Sequence, residues 1–510
     1  RSFDADAHHA LARRAAGESV VLLKNDDALL PLAEGTRVAV IGDFAETPRY
    51  QGAGSSAVNS IKVDTFLDCL NDSGLHSVGF APGFDRQGKP DAAKQAEAVA
   101  LAAEADAVLL CLGLDEIKES EGLDRADMKL ADNQIELLQA VREANPNTVV
   151  IVNAGASLET PWLAHCKALV YGALGGQAGA GAMVDVLTGK INPGGKLAET
   201  WANAYADTPA RDHFAGPGRT VQYREGLYVG YRYYQTTGVP VAFPFGHGLS
   251  YTQFAYSDLH ADAHSAALTV TNTGDRAGAE IVQLYVAKPN AEIFRPAQEL
   301  KAFAKVQLAA GESKTVTLTL DDKAFRYWNT RTDSWEVEGG TYELRVGASS
   351  ADTRLTAAVE VIGTDALNPY AGKALPHYQS GKVQTVPDAE WETLLGRPIP
   401  DDRVKIDRNM TLGELNHGRS PLGWLVWAVL TALLNASYKK GKPDLNVLFQ
   451  YNMPLRALAK MTNGAISMGM VDGIVMEVQG FWVIGLVRVI FEAVKNVILN
   501  AQLENRLRNS

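Results

Sequence analysis

The stretch Leu114-Asp115-Glu116-Ile117-Lys118-Glu119-Ser120-Glu121-Gly122-Leu123-Asp124-Arg125 concentrates carboxylates directly after the apolar run Ala107 to Gly113. Open α/β sheets place ligand-contacting groups at the C-terminal ends of their strands, so a loop here carries a carboxylate towards a cleft. Glu121 is the candidate, because Gly122 leaves the backbone free beside it. Its chemistry would be proton transfer, since a carboxylic acid held protonated near neutral pH protonates a glycosidic leaving oxygen. Glu119 and Asp124 should raise such a carboxyl pKa, and Arg125 should lower it. The competing reading is a solvated acidic loop, fixed by a local Asp124–Arg125 ion pair.

A second feature is Tyr50-Gln51-Gly52-Ala53-Gly54-Ser55-Ser56. It has neither the spacing of a dinucleotide fingerprint nor the Lys of a P-loop. Two readings stand: a βα turn whose glycines allow tight packing, or a loop whose backbone and Ser55 hydroxyl touch a sugar. Serine-hydrolase chemistry finds no G-x-S-x-G elbow. His9, His165 and His213 lack metal-ligand spacing, and there is no C-x-x-C, so neither metal nor cofactor is expected. Trp201, Trp335, Trp424 and Trp427 read as core rather than sugar platforms.

The elements that must position these loops follow from periodicity. Strand patterns at Arg37 to Asp43, Ala107 to Gly113, Thr148 to Val152 and Ala168 to Tyr171 alternate with helical ones. The helices are Val63 to Leu70, Asp91 to Ala105, Ile135 to Ala144 and Ala178 to Leu187. This rhythm predicts a mostly parallel sheet covered by helices over residues 1–215. Residues 216–250, rich in Gly, Tyr and Pro, read as an ordered connector. Over 251–362 the period becomes two, as in Thr315 to Leu320, which predicts an antiparallel sandwich. Residues 363–410 are weakly periodic and read as a linker lying over other domains. Residues 411–510 read as a helical extension. In it, Pro421 to Asn435 falls short of the ~20 residues a spanning helix needs. The last helix, about Trp482 to Leu507, sets Val483, Leu486, Ile490, Val494 and Val497 on one face, interrupted by Arg488, Glu492 and Lys495. This extension is expected to pack on protein, its own chain or a second subunit, rather than on a membrane. The fold class is therefore multidomain α/β and all-β.

Composition is ordinary for a globular chain of 510 residues, 46% hydrophobic and 21% charged. The net charge of −11 argues against nucleic acid or an anionic membrane as main partner. The three cysteines Cys69, Cys111 and Cys166 are no disulfide framework, which favours a cytoplasmic location. The chain begins at Arg1 without a signal-peptide pattern.

Several stretches, in order, resemble glycoside hydrolase family 3. They are Ala15-Ala16-Gly17-Glu18-Ser19-Val20-Val21-Leu22-Leu23-Lys24-Asn25 with Leu29-Leu30-Pro31-Leu32; Glu121-Gly122-Leu123-Asp124-Arg125; and Asn192-Pro193-Gly194-Gly195-Lys196-Leu197-Ala198-Glu199-Thr200-Trp201. Glu225 to Tyr234, Phe243 to Tyr251, and Arg295-Pro296 with Glu299-Leu300-Lys301 continue the likeness. The resemblance spans roughly residues 10 to 360. It implies an α/β-sandwich domain, a fibronectin-type-III-like domain and a retaining β-glucosidase mechanism. By motif match, Glu121 would be the general acid/base and Ser55 a sugar-binding residue. The Asp nucleophile of such enzymes lies on a (β/α)₈ barrel, and no barrel-sized segment or nucleophile motif occurs here. The resemblance thus implies a barrel domain or chain as partner, a β-glucoside or oligosaccharide as substrate, and a homo-oligomer. β-Xyloside hydrolysis and a non-catalytic carbohydrate-binding or scaffolding subunit are the alternatives.

Overall fold

The near-continuous Val, Ile and Leu runs of the first two hundred residues are those of strands covered on both faces. The structure, a computed structural model, describes residues 3–216, 220–440 and 444–508, so that 217–219 of the expected connector and 441–443 of the expected helical region lie outside it. The strands are β1 (Val21–Asn25), β2 (Arg37–Ile41), β3 (His76–Ala81), β4 (Ala107–Gly113), β5 (Thr148–Asn153) and β6 (Ala168–Tyr171). They form one sheet in the order β1-β6-β5-β4-β2-β3. All neighbours are parallel except β1, which runs antiparallel to β6.

Helices α1 (Ala5–Ser19), α2 (Phe66–Leu70), α3 (Ala92–Ala103), α4 (Asp132–Ala144) and α5 (Gly179–Leu187) cover the sheet. α1 and α2 each pack on α5, and α3 packs on α4. Helix α4 turns Leu137, Leu138 and Val141 inward, the i, i+1, i+4 stripe of an amphipathic helix. Its buried Gln134 also clamps the end of β4, accepting from Gly113 N–H at 3.0 Å and donating to Gly113 O at 2.9 Å. The point at which the acidic loop leaves the sheet is therefore fixed by side-chain hydrogen bonds.

The order of the strands has a functional consequence. From β2 the chain moves outward to β3, then returns to place β4 on the other side of β2 and continues to β5 and β6. The connections after β2 and β4 thus diverge, leaving a crevice at the C-terminal ends of two adjacent strands. In such sheets this switch point is where ligands bind.

A two-stranded ribbon of β7 (Trp201–Ala202) and β8 (Val241–Phe243), with helix α6 (Tyr231–Thr237) between them, links the sheet domain to the next. There, β9 (Phe254–Ala261), β10 (Ser265–Asn272) and β13 (Ser313–Thr319) face β11 (Gly278–Ala287), β12 (Glu299–Leu308), β16 (Gly340–Ser349) and β17 (Asp352–Val361). The hairpin of β14 (Arg326–Asn329) and β15 (Ser334–Val337) lies beside them. Alternation does the work: every second residue of β10 is buried, Ala266, Leu268 and Val270 among them.

Residues 363–410 lie against the connector. They form α7 (Pro376–Ser380) and α8 (Asp388–Leu395), and bury Leu375, Tyr378, Val383 and Val386 against Tyr228, Tyr233 and Tyr234 of the connector. Tyr378 donates to Arg224 O at 2.9 Å, and Arg224 donates to Val386 O at 2.9 Å. The segment is a packed strap.

The last region comprises α9 (Pro421–Lys439), α10 (Leu445–Tyr451), α11 (Ala457–Met461), α12 (Met468–Val478) and α13 (Trp482–Arg508). Its core is Met410, Leu415, Leu455, Val471, Val475 and Val478. α12 and α13 approach through Gly473 and Gly485, where a Cβ on Gly473 would lie 2.9 Å from Gly485 O. α9 extends beyond the expected Asn435 to 19 residues, long and apolar enough by length and composition to cross a membrane. α9 leaves Leu422, Trp424 and Leu425 exposed, and α13 leaves Val483, Ile490 and Val497 exposed.

Candidate active site

Glu121 lies in the loop after β4 and Ser55 in the loop after β2, so the crevice between these strands brings them together. The two loops are stitched at the backbone. Glu121 N–H donates to Ala53 O at 2.9 Å, and Ser55 N–H donates to Glu121 Oε2 at 2.5 Å. Gly54 stands between them at φ +135°, and a Cβ there would lie 2.5 Å from Glu121 Cβ. Only glycine accepts both that backbone angle and that approach. Gly122 also needs its freedom, at φ +77°.

The expected charge environment of Glu121 is not the one observed. Its carboxyl is exposed and held below the ordinary glutamate value, through hydrogen bonds from the Ser55 backbone and side chain. Glu119, Asp124 and Arg125 do not set it. Glu119 turns away to Arg49, whose Nη1 donates to its Oε2 at 2.6 Å, while Gly155 N–H donates to the same oxygen at 2.9 Å. Arg49 is buried and also donates to Leu114 O and Glu119 O. This ion pair fixes the loop in place of the expected Asp124–Arg125 pair, which is not formed among the described residues. Arg125 instead donates to Ser157 O at 3.2 Å, and burial lowers its pKa. Buried Asp115 accepts from the N–H groups of Ile117 and Lys118, a local turn that starts the loop.

The cleft at Glu121 has a volume of about 710 Å³. One side is Gly54, Ser55, Glu121 and Gly122; the other comes from α10 and the residues after it, including Leu448, Phe449 and Asn452. Leu448 packs on Gly122, its Cδ2 lying 3.2 Å from where a Cβ would stand. The contribution of the helical region to this site was not anticipated, because no sequence spacing ties residue 448 to residue 122. Nor was Arg49, whose partner is set by tertiary folding. Among the described residues, no cluster of His, Cys, Asp and Glu suits a metal ion.

Glu121 is thus an exposed, hydrogen-bonded carboxylate on a loop at the switch point, and among the described residues lining its cleft there is no second carboxylate; glycoside hydrolysis uses a pair of such groups. Comparison with known proteins shows the family of the chain. Residues 20–251 match the glycosyl hydrolase family 3 C-terminal domain, and residues 280–350 match a fibronectin type III-like domain. The chain belongs to glycoside hydrolase family 3. It is similar to an exo-α-(1→6)-L-arabinopyranosidase of Bifidobacterium breve, 45% identical over 383 residues, covering 72% of this chain and 50% of that protein. It is similar also to thermostable β-glucosidase B of Acetivibrio thermocellus, at 43% identity, covering 71% and 49%. The crystal structure of a family 3 β-glucosidase of Bifidobacterium adolescentis superposes with a TM-score of 0.70 at 43% identity, covering 75% of this chain and 58% of that one. The chain of this family 3 member thus spans about half the length of the curated relatives it matches. Among its described residues there is no (β/α)₈ barrel.

Proposed function

We propose that this chain supplies the general acid/base of a retaining β-glucosidase, and that Glu121 is that group. The observation carrying this reading is the pairing of Glu121 with the Ser55 loop at the switch-point crevice, where both line one cleft. In the first step Glu121 protonates the departing oxygen as an Asp on a partner barrel attacks the anomeric carbon. In the second it takes a proton from water, which cleaves the glycosyl-enzyme. Ser55 is read as a sugar contact, a role supported by its exposed position beside Glu121.

In this chain Glu121 is a carboxylate, the form suited to the second step. The first step needs the acid. Docking of the barrel, by excluding water from the crevice, supplies the desolvation that raises a carboxyl pKa. The test is complementation. The chain alone should leave 4-nitrophenyl β-glucoside intact, and adding the barrel should restore turnover. Full turnover by the chain alone would place both carboxylates within it and overturn the reading.

A second substrate reading rests on the arabinopyranosidase relative. It asks the same of Glu121, since only the sugar at the nucleophile differs, and parallel assays with the two 4-nitrophenyl glycosides separate them. A reducing, cytoplasmic location is supported by three free cysteines. Assembly with a second copy is supported by the apolar faces left exposed on α9 and α13; a monomer in light scattering would remove it.

A further inference from the structure

The helical region builds one wall of the Glu121 cleft. α10 is held where it is by its own domain: Leu412 N–H donates to Met453 O at 3.1 Å, and Leu455 N–H donates to Met410 O at 2.8 Å. The ring of Tyr451 covers Gly413, where a Cβ would have no room. On the other side Leu448 rests on Gly122, next to the acid/base candidate. The wall is therefore anchored at both ends.

Its chemistry is mostly apolar. Leu445, Leu448, Phe449, Pro454 and Met461 line it, with the amides of Asn446 and Asn452 as polar exceptions. Phe449 is 55% exposed, with its ring free to receive a ligand. Leu445 also borders an adjoining pocket of about 330 Å³ with Tyr50, Gln51 and Ser120, which extends the surface beside the cleft.

Position assigns the occupant. In a retaining enzyme the nucleophile stands about 5–5.5 Å from the acid, with the sugar between them. The sugar therefore lies towards the barrel. The part of the cleft that this chain walls by itself is left to the group attached to the oxygen that Glu121 protonates. We propose that the C-terminal helical region forms the aglycone wall of the active site, and that Phe449 favours glycosides of apolar aromatic alcohols over those of small or polar ones. This rests on Glu121 being the acid/base. The departing alcohol takes its proton from Glu121 and leaves along the wall; the wall itself takes part in no bond change.

The experiment uses the enzyme assembled with its barrel and two substrates with similar alkyl leaving groups, 2-phenylethyl and ethyl β-glucoside. The wild type should favour the phenylethyl compound. Phe449→Ala should lower kcat/KM for 2-phenylethyl glucoside roughly tenfold more than for ethyl glucoside, and Phe449→Leu should lie between. Phe449 is exposed, so its replacement leaves the core intact. Equal losses on both substrates, or none on either, would overturn the wall. That outcome would arise if a barrel loop filled the cleft. If Glu121→Gln leaves both substrates fully turned over, the acid/base assignment is what fails, and the aglycone wall falls with it.

Discussion

Gly54→Ala is the substitution that probes the site most sharply without touching a reacting atom. The added Cβ would stand 2.5 Å from Glu121 Cβ, where unstrained carbon contacts lie at about 3.5–4.0 Å. The carboxylate loop must then move by about 1 Å. It has little freedom to do so harmlessly, because Glu121 N–H is tied to Ala53 O. A displacement of that size at a catalytic group costs on the order of 10²-fold in rate. The backbone angle of +135° adds strain for any side chain, of order 1–3 kcal/mol. The expected result in the assembled enzyme is therefore a drop of about 10² in kcat/KM for an alkyl glucoside, whose leaving group needs the proton. The loss should be much smaller for 2,4-dinitrophenyl glucoside, whose leaving group does not. A modest fall in thermal midpoint would accompany it. Equal losses on both substrates would mean that Gly54 serves sugar binding, and full activity would mean that Glu121 need not sit where the structure holds it.

Three further outcomes follow from the same geometry. Glu119→Ala strips the buried Arg49 guanidinium of its partner and should destabilise the fold by about 3–5 kcal/mol; a thermal midpoint equal to wild type would contradict this. In this chain alone Glu121 should titrate below the ordinary glutamate value, because Ser55 hydrogen bonds favour the carboxylate. Its folded-state pKa being depressed, that stabilisation is present above the unfolded value and lost as the pH falls through the folded one; a carboxyl ¹³C titration midpoint above the ordinary value would refute it. Burial pushes the Cys69 thiol up to about 11 and that of Cys166 up to about 12, and raises Cys111 further. Ellman's reagent at pH 8 should therefore find no fast-reacting thiol in the native chain, and rapid labelling of any of the three would contradict their environments.

The sheet domain was legible because its strands are short apolar runs and its helices carry one apolar face. β4 was read to its end, and the acidic loop after it follows from that boundary. Strand β1 is not legible in the sequence, because Val21-Leu22-Leu23-Lys24-Asn25 follows helix α1 with no turn signal between them. Over 363–410 the sequence shows a segment lying over other domains but not its packing, because Leu375, Tyr378, Val383 and Val386 fit neither period; they are placed by the connector tyrosines they pack against. For the site, Glu121 and Ser55 were each singled out, but their meeting depends on β4 lying beside β2, which strand order fixes and local pattern does not. Adjacent charges misled in the same way. Asp124 and Arg125 are neighbours in sequence, yet the loop is locked by Arg49 and Glu119, which only the fold brings together.

The central claim is that Glu121 is the acid/base, and chemical rescue tests it most directly. Glu121→Ala in the assembled enzyme should retain glycosylation by 2,4-dinitrophenyl β-glucoside but stall at the glycosyl-enzyme. External azide should then raise turnover and yield the β-glycosyl azide, since a small anion can occupy the space of the missing carboxylate and needs no base. Wild-type activity in the variant, or a stalled variant that azide leaves unchanged and that forms no glycosyl azide, would contradict the account.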